Sequence, residues 1–402
     1  MFAEKRFARL ARRFLHTTPV PLRLQLWNGQ AFDLGPAPAV TITVKSPSAI
    51  RALAAPDFSS LGEAYVHEQI DVQGSIGEVI EAVGALVRGA QKRAARWSRL
   101  RATAHTRRQD AQAIEHHYDV SNDFYRLWLD GNMAYSCAYY REGNETLDQA
   151  QEQKFEHICR KLMLHEGERF LDIGCGWGGL MLYAARNYGV QALGITLSRN
   201  QLELARERIL RERLADRCSV ELLDYRDVPE VHKFDKIASV GMFEHVGLRK
   251  LPQYFGKVAR LLADDGLILN HGITTMDPQS RSVGMGAGKF IDRYIFPHGE
   301  LPHVSLAVHR MSEQGLEAID IESLRFHYAK TLAAWASRLE AAQVDARKLV
   351  GEKRYRTWLV YLAGCAHAFA QSWVSIHQIL AAKADRKGMQ PVSWTSQHIY
   401  RN

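Results

Sequence analysis

The sequence predicts an α/β protein in which a doubly wound parallel sheet follows a small α+β domain, and three observations carry that prediction. From about residue 150 onward, helical patterns alternate with short apolar runs: Phe170 to Ile173, Ala192 to Ile195, Val220 to Leu223, Lys236 to Val240 and Leu267 to Asn270. Strands buried on both faces read as such runs, and helical crossovers between them make the sheet parallel. The first run leads directly into Gly174-Cys175-Gly176-Trp177-Gly178-Gly179 and then a helical pattern beginning near Leu180, the strand-turn-helix entry of a Rossmann-like domain. Ahead of residue 90 the pattern differs, with β-like runs Leu22 to Trp27 and Val40 to Val44, a Pro/Gly-rich turn, and alternation around Ile70 to Val72. Short alternating runs bounded by turn residues mark a separate α+β domain. The Arg/Ala-rich stretch Arg88 to Arg108 has hardly any acid and reads as a basic helix or linker. It places the boundary near residue 112, giving domains 1–112 and 113–402.

With 402 residues, 46% of them apolar and 24% charged, the chain has the composition of an ordinary globular protein with room for one large and one smaller domain. No apolar run approaches the roughly 20 residues of a membrane-spanning helix. Cys137, Cys159, Cys175, Cys218 and Cys365 are scattered without a CxxC pair, so a reduced, cytoplasmic protein without structural zinc is expected. The net charge of +8 calls for a polyanionic partner, and nucleic acid or an anionic membrane surface would serve. On a helical wheel, residues 1 to 15 set Ala3, Phe7, Leu10, Ala11 and Phe14 opposite Lys5, Arg9, Arg12 and Arg13. That is the pattern of an interfacial helix; an exposed helix packed on its own domain is the alternative. Its charges interrupt every candidate apolar core of a secretory signal. The expectation is a cytoplasmic protein held peripherally at the inner face of the membrane, without a nucleic-acid partner. A homodimer is compatible with the sequence.

The glycine loop admits two nucleotide-like ligands. Gly174, Gly176 and Gly179 satisfy GxGxxG, a weak signal by itself. A dinucleotide site also needs an acid about 20 positions on, at the end of the second strand. That strand ends Gly194-Ile195-Thr196-Leu197-Ser198, with no acid. Asp172 instead precedes the first glycine, giving a DxGxG loop of the kind in which an acid helps hold the aminoacyl end of S-adenosylmethionine. At the end of the third run, Asp224 can accept from an adenine amino group and Tyr225 can stack on the ring. The domain is therefore expected to be a class I methyltransferase domain.

Two further segments, His117-Tyr118-Asp119-Val120-Ser121-Asn122-Asp123-Phe124-Tyr125 and Tyr135-Ser136-Cys137-Ala138-Tyr139-Tyr140, resemble the opening motifs of bacterial cyclopropane-fatty-acyl-phospholipid synthases and of mycolic acid cyclopropane synthases. The runs from Phe170, Gly241 (GMFEHVG), Tyr294 (YIFPHGELP) and His327 (HYAKTLAAW) agree. The resemblance spans roughly residues 113 to 380, with a weaker echo at Leu61. It implies that Tyr135, Ser136, Gly174, Gly176, Thr196, Leu197, Gln201, Asp224 and Tyr225 line the cofactor site. It also implies a bicarbonate ion bound by Cys137, Glu244, His271, Ile273 and Tyr328. Cys365 matches a family cysteine that invites a nucleophile role; a buried structural thiol is the simpler reading.

The implied substrate is an unsaturated phospholipid in the membrane. Attack of a cis double bond on the sulfonium methyl leaves a carbocation, and ring closure then requires removal of a proton from the delivered carbon. A small anion held by donors can take that proton with less risk of a covalent adduct than a carboxylate placed against the cation. Tyr118, Phe124 and Tyr135 offer aromatic faces to the charge. The acyl chain is expected to lie along the segment Phe290 to Pro302 and the helices around Trp358 to Phe369. Methyl or methylene branching without ring closure, and small-molecule amine methylation, are the rival reactions. If the arm supplies surface affinity, deleting residues 1 to 15 reduces binding to anionic vesicles and spares turnover of detergent-dispersed lipid; equal vesicle binding before and after deletion refutes this.

Overall fold

The computed structural model describes residues 20–54, 56–91, 120–280, 286–296, 299–383 and 393–400. The arm at 1–15, most of the basic stretch, the boundary near 112, and His117, Tyr118 and Asp119 lie outside the described residues.

The chain forms two compact units, one from within 1–100, Ser282–Pro297 and Leu332–Trp373, the other from within 101–281, His298–Thr331 and Val374–Asn402. In the first, β1 (Leu22–Leu26), β2 (Ala31–Asp33), β3 (Val40–Val44) and β4 (Ile70–Gln73) form a sheet in the order β2-β1-β3-β4. Strict alternation buries Leu22, Leu24 and Leu26 on one face, as the period of a strand requires. Helix Phe58–Val66 starts at Asp57, whose carboxylate accepts the Ser60 N–H at 2.8 Å. Helices Phe58–Val66 and Ile76–Gln91 both pack against the long helix Gln343–Ala370, whose buried Arg356 donates to the Tyr65 carbonyl at 3.2 Å. This interleaving departs from a single boundary near residue 112. The helical period of 343–370 buries Tyr355, Trp358 and Leu362, but period alone does not specify which unit covers an apolar face.

The second unit contains a seven-stranded sheet of β5 (Arg169–Ile173), β6 (Gln191–Thr196), β7 (Cys218–Leu222), β8 (Phe234–Val240), β9 (Leu262–Thr275), β10 (Leu316–Ser323) and β11 (Val374–Lys383), in the order β10-β11-β9-β8-β5-β6-β7. Strands β5 to β9 pair in parallel. The two later strands are antiparallel, β11 against β9 and β10 against β11, so the sheet is mixed rather than wholly parallel. One face carries a core that includes Phe155, Met181 and Ala205, contributed by helices Leu147–Lys161, Gly179–Tyr188 and Arg199–Arg211. The other carries Tyr254, Val258 and Met311, from helices Leu251–Leu261 and Val304–Ser312. From β5 the chain winds outward through β6 and β7, then returns to β8 on the other side. The crevice between the carboxyl ends of β5 and β8 is thus the topological switch point, where ligands bind in open α/β sheets.

One close approach fixes the β8 side of that crevice. The turn Phe243–His245 after β8 lays the Phe243 ring on Gly272 of β9, so a Cβ there would fall on the ring and stand 3.2 Å from Glu244 Oε1. Gly272→Ala is expected to destabilise the protein by about 1–3 kcal/mol through overpacking; an unchanged denaturant midpoint contradicts the contact.

Candidate active site

The carboxyl ends of the parallel strands open into one pocket, and all ten residues expected at the cofactor site line it. Asp172 comes from β5, and Gly174 and Gly176 from the loop after it. Gly174 and Gly176 have φ of 77° and 55°, the left-handed region that favours glycine. The N–H groups of Gly174 and Cys175 both donate to Ile195 O at 3.0 Å, pinning the turn to β6. A Cβ at Gly176 would meet nothing within 4 Å and would project into open space. Thr196 ends β6 and Leu197 and Gln201 follow it, and Thr196 Oγ1 donates to Gln201 Oε1 at 2.7 Å. Asp224 and Tyr225 follow β7. The Asp224 carboxylate accepts Arg226 N–H at 2.9 Å and Nε–H at 2.8 Å, which fixes its orientation, and a carboxylate has lone-pair capacity beyond these bonds.

Tyr135 and Ser136 reach the pocket on a loop clamped from several sides. Asp130 accepts the Ala134 and Asn132 N–H groups at 2.8 and 2.9 Å. Gln151 Nε2 donates to the carbonyls of Ala134 and Ser136 at 3.1 and 2.9 Å. One turn along the same helix, Lys154 Nζ donates to Ser136 Oγ at 2.9 Å. Lys154 lines the pocket, and sequence reasoning missed it because a lysine within a helical pattern carries no signal of burial. Trp177, inside the glycine loop, also lines the pocket, and its Nε1 donates to Asn122 Oδ1 at 2.8 Å. Burial pushes the Asp172 carboxyl up to about 7 and leaves its Oδ2 without a partner; the Lys154 charge opposes that rise.

The five residues expected to hold bicarbonate form a second group in the same unit, and a chain of contacts links them. Glu244 Oε1 accepts the Ile273 N–H at 2.6 Å. Ile273 pairs with Ile376 across β9 and β11, and Ile376 O accepts the Leu324 N–H at 2.9 Å. Leu324 O in turn accepts the Tyr328 N–H at 3.0 Å and lies 3.9 Å from Cys137 Sγ. His271 is two residues before Ile273 on β9 and therefore on the same strand face; its Nδ1 lies 3.2 Å from Gln378 Nε2.

Two atoms of this group, Glu244 Oε2 and His271 Nε2, are buried without a hydrogen-bond partner among the described residues. Burial raises the Glu244 carboxyl to about 7 and holds His271 well below its ordinary value. Burial also raises the Cys137 thiol, so no thiolate forms at neutral pH. A buried carboxyl near neutrality and a buried neutral imidazole are groups that can each hold a small polar guest and exchange a proton with it. None of the five lines the pocket at the strand ends, although Met242 and His245, which flank Glu244, do. Cys365 belongs to the first unit, on helix Gln343–Ala370, and burial raises its thiol to about 12. It is a neutral thiol and a poor nucleophile. The segments expected along the acyl chain divide between the units, Phe290 and Trp358 to Phe369 in the first and 299–302 in the second.

If Gly176 marks the close approach of the cofactor, Gly176→Val abolishes binding of S-adenosylhomocysteine in calorimetry while the fold is retained; unchanged affinity removes the loop from the site.

A sequence profile described as mycolic acid cyclopropane synthetase matches residues 105–379, and a domain of unknown function matches residues 10–89. A probable fatty acid methyltransferase of Pseudomonas putida is 50% identical over 96% of this chain and 98% of its own length. The cyclopropane-fatty-acyl-phospholipid synthase of Escherichia coli is 38% identical over 68% of each chain. Among solved structures, the mycolic acid cyclopropane synthase CmaA1 in complex with SAH and CTAB superimposes with a TM-score of 0.64 at 35% identity, covering 67% of this chain and 97% of that one. The cyclopropane synthase MmaA2 of Mycobacterium tuberculosis gives 0.65 at 32% identity, covering 68% and 98%. The DxGxG loop at the switch point, the profile over residues 105–379 and these relatives agree: the chain belongs to the mycolic acid cyclopropane synthetase family and is an S-adenosylmethionine-dependent methyltransferase.

Proposed function

We propose that this enzyme delivers a methylene from S-adenosylmethionine to the cis double bond of an unsaturated phospholipid acyl chain and closes a cyclopropane ring, with bicarbonate as the base. The observation that carries the reading is the pair of buried, unpartnered atoms Glu244 Oε2 and His271 Nε2. Unmet buried polar groups are costly and mark a missing partner; two of them, on an acid near neutrality and a neutral imidazole, suit a small oxyanion. When bound, S-adenosylmethionine supplies an electrophilic methyl group.

The chain's own residues then have separable tasks. The Ile273 N–H fixes Glu244 Oε1, leaving Oε2 as the oxygen that gains and loses a proton. At a carboxyl pKa of about 7 both forms are populated near neutrality, the best condition for relaying a proton. The Gln378 amide at His271 Nδ1 directs the ring's other nitrogen to the guest. Tyr328 is assigned as a further donor to the ion, and the rings of Tyr135 and Phe124 as the faces that stabilise developing positive charge. Tyr118 lies outside the described residues.

The same site also serves a second reading, methyl or methylene branching of an acyl double bond without ring closure, favoured by the Pseudomonas putida relative's description as a probable fatty acid methyltransferase. In either case the substrate is a membrane lipid, and we assign the protein to the cytoplasmic face of the membrane as a peripheral enzyme. The +8 charge favours an anionic surface, and no described helix is long and apolar enough to cross a membrane.

Glu244→Gln keeps the side-chain shape but cannot relay a proton. It is expected to bind S-adenosylhomocysteine normally while cyclopropane formation falls by roughly 10² to 10⁴, without rescue by added bicarbonate. Full cyclopropane synthesis by the variant would make Glu244 a structural group and move the base elsewhere.

A further inference from the structure

Lys154 has so far served only as a clamp on the Tyr135–Ser136 loop, yet it is one of the most deeply buried charges among the described residues, at 2% exposure. A buried ammonium is costly unless its three donors and its charge are matched. Here Ser136 Oγ, at 2.9 Å, is its one hydrogen-bond acceptor among the described residues. The carboxylates of Asp130 and Asp172 act on it through space, but among the described residues neither closes an ion pair with it within 4 Å. Asp172 has the complementary deficit: its buried Oδ2 lacks a partner, and it too lines the cofactor pocket. Two opposite charges thus face one cavity, each under-satisfied and not in contact with the other. That arrangement fits a zwitterion between them. The aminoacyl end of S-adenosylmethionine carries an α-ammonium and an α-carboxylate at adjacent positions.

We infer that Lys154 is the anchor of the cofactor's α-carboxylate, with Asp172 receiving the α-ammonium and Ser136 holding the lysine in place. The acid of the DxGxG loop then has a cationic counterpart two helical turns into Leu147–Lys161, and the pair orients the cofactor's tail. Burial lowers the Lys154 pKa to about 8, and a bound carboxylate would raise it again. The charged and titratable groups that act on Lys154 or feel it are Asp130, Asp172, Cys137 and His271. Of these Asp172, at about 7, also titrates near neutrality.

The test compares three ligands by calorimetry: S-adenosylhomocysteine, S-adenosyl-3-thiopropylamine, which lacks only the carboxylate, and 5′-methylthioadenosine, which lacks the whole aminoacyl end. Lys154→Met should weaken S-adenosylhomocysteine by roughly ten- to hundredfold, the loss of a hydrogen-bonded charge partner, weaken the propylamine by less, because Asp172 loses the charge that opposes its protonation, and leave 5′-methylthioadenosine within about twofold. In the unaltered protein, the preference for S-adenosylhomocysteine over the propylamine should be full below about pH 8 and decline above it as Lys154 loses its proton. The Asp172 titration affects both of those ligands and cancels in their ratio. An equal loss for all three ligands, no loss for any, or a preference flat in pH would overturn the assignment. The pH arm needs no substitution, so it decides the matter even if Lys154→Met does not fold.

Discussion

The divergence of the sheet between β5 and β8 is the constraint on which the site depends. Winding outward in both directions from β5 leaves the carboxyl ends of these two strands with no crossover above them. From β5 the chain enters the glycine turn, pinned through Ile195 O to β6. From β8 it enters the short turn Phe243–His245, which lays a phenyl ring on Gly272 and sets Glu244 against the Ile273 N–H. The glycine turn and the buried acid therefore arise on the two lips of one crevice, each held by a backbone hydrogen bond to the neighbouring strand.

Burial is the second theme, and it acts in opposite directions on acids and bases. Asp172 and Glu244 are both raised to about 7, while Lys154 falls to about 8 and His271 well below its usual value. In each case loss of water outweighs the partners nearby. The charged forms are thus held at a cost that a ligand can relieve, and in water-excluded surroundings each resulting contact is stronger than it would be at the surface. Such poise suits the two tasks proposed for the site, binding a zwitterion and relaying a proton.

Most of this was legible in the sequence where period and glycine spacing are diagnostic. The five parallel strands and the turn at Gly174 and Gly176 follow from apolar runs and glycine spacing, the choice between two nucleotide-like ligands from the missing acid after β6, and most of the ten residues lining the pocket from the family resemblance. What escaped was set by tertiary context. The apolar run of β11 follows directly on a long helical pattern, and β10 alternates exposed Ile319 and Ile321 with polar residues, so neither declared itself as part of the sheet. The helix Gln343–Ala370 showed an apolar face but not the unit it serves. Lys154 gave no sign, since a lysine's burial depends on what packs over it. The Asp224 carboxylate carries a bidentate Arg226 that spacing alone did not reveal.

The central claim, that a carbon is delivered to a double bond and then deprotonated, is tested most directly by the fate of hydrogen on that carbon. The full-length protein would be supplied with S-adenosylmethionine bearing a fully deuterated methyl group and vesicles of an unsaturated anionic phospholipid, and the acyl chains would be read by mass spectrometry and proton resonance. The account predicts loss of the olefinic signals and a ring carbon that retains two of the three deuterons. Retention of all three in a branched chain, or no transfer to lipid, would contradict it.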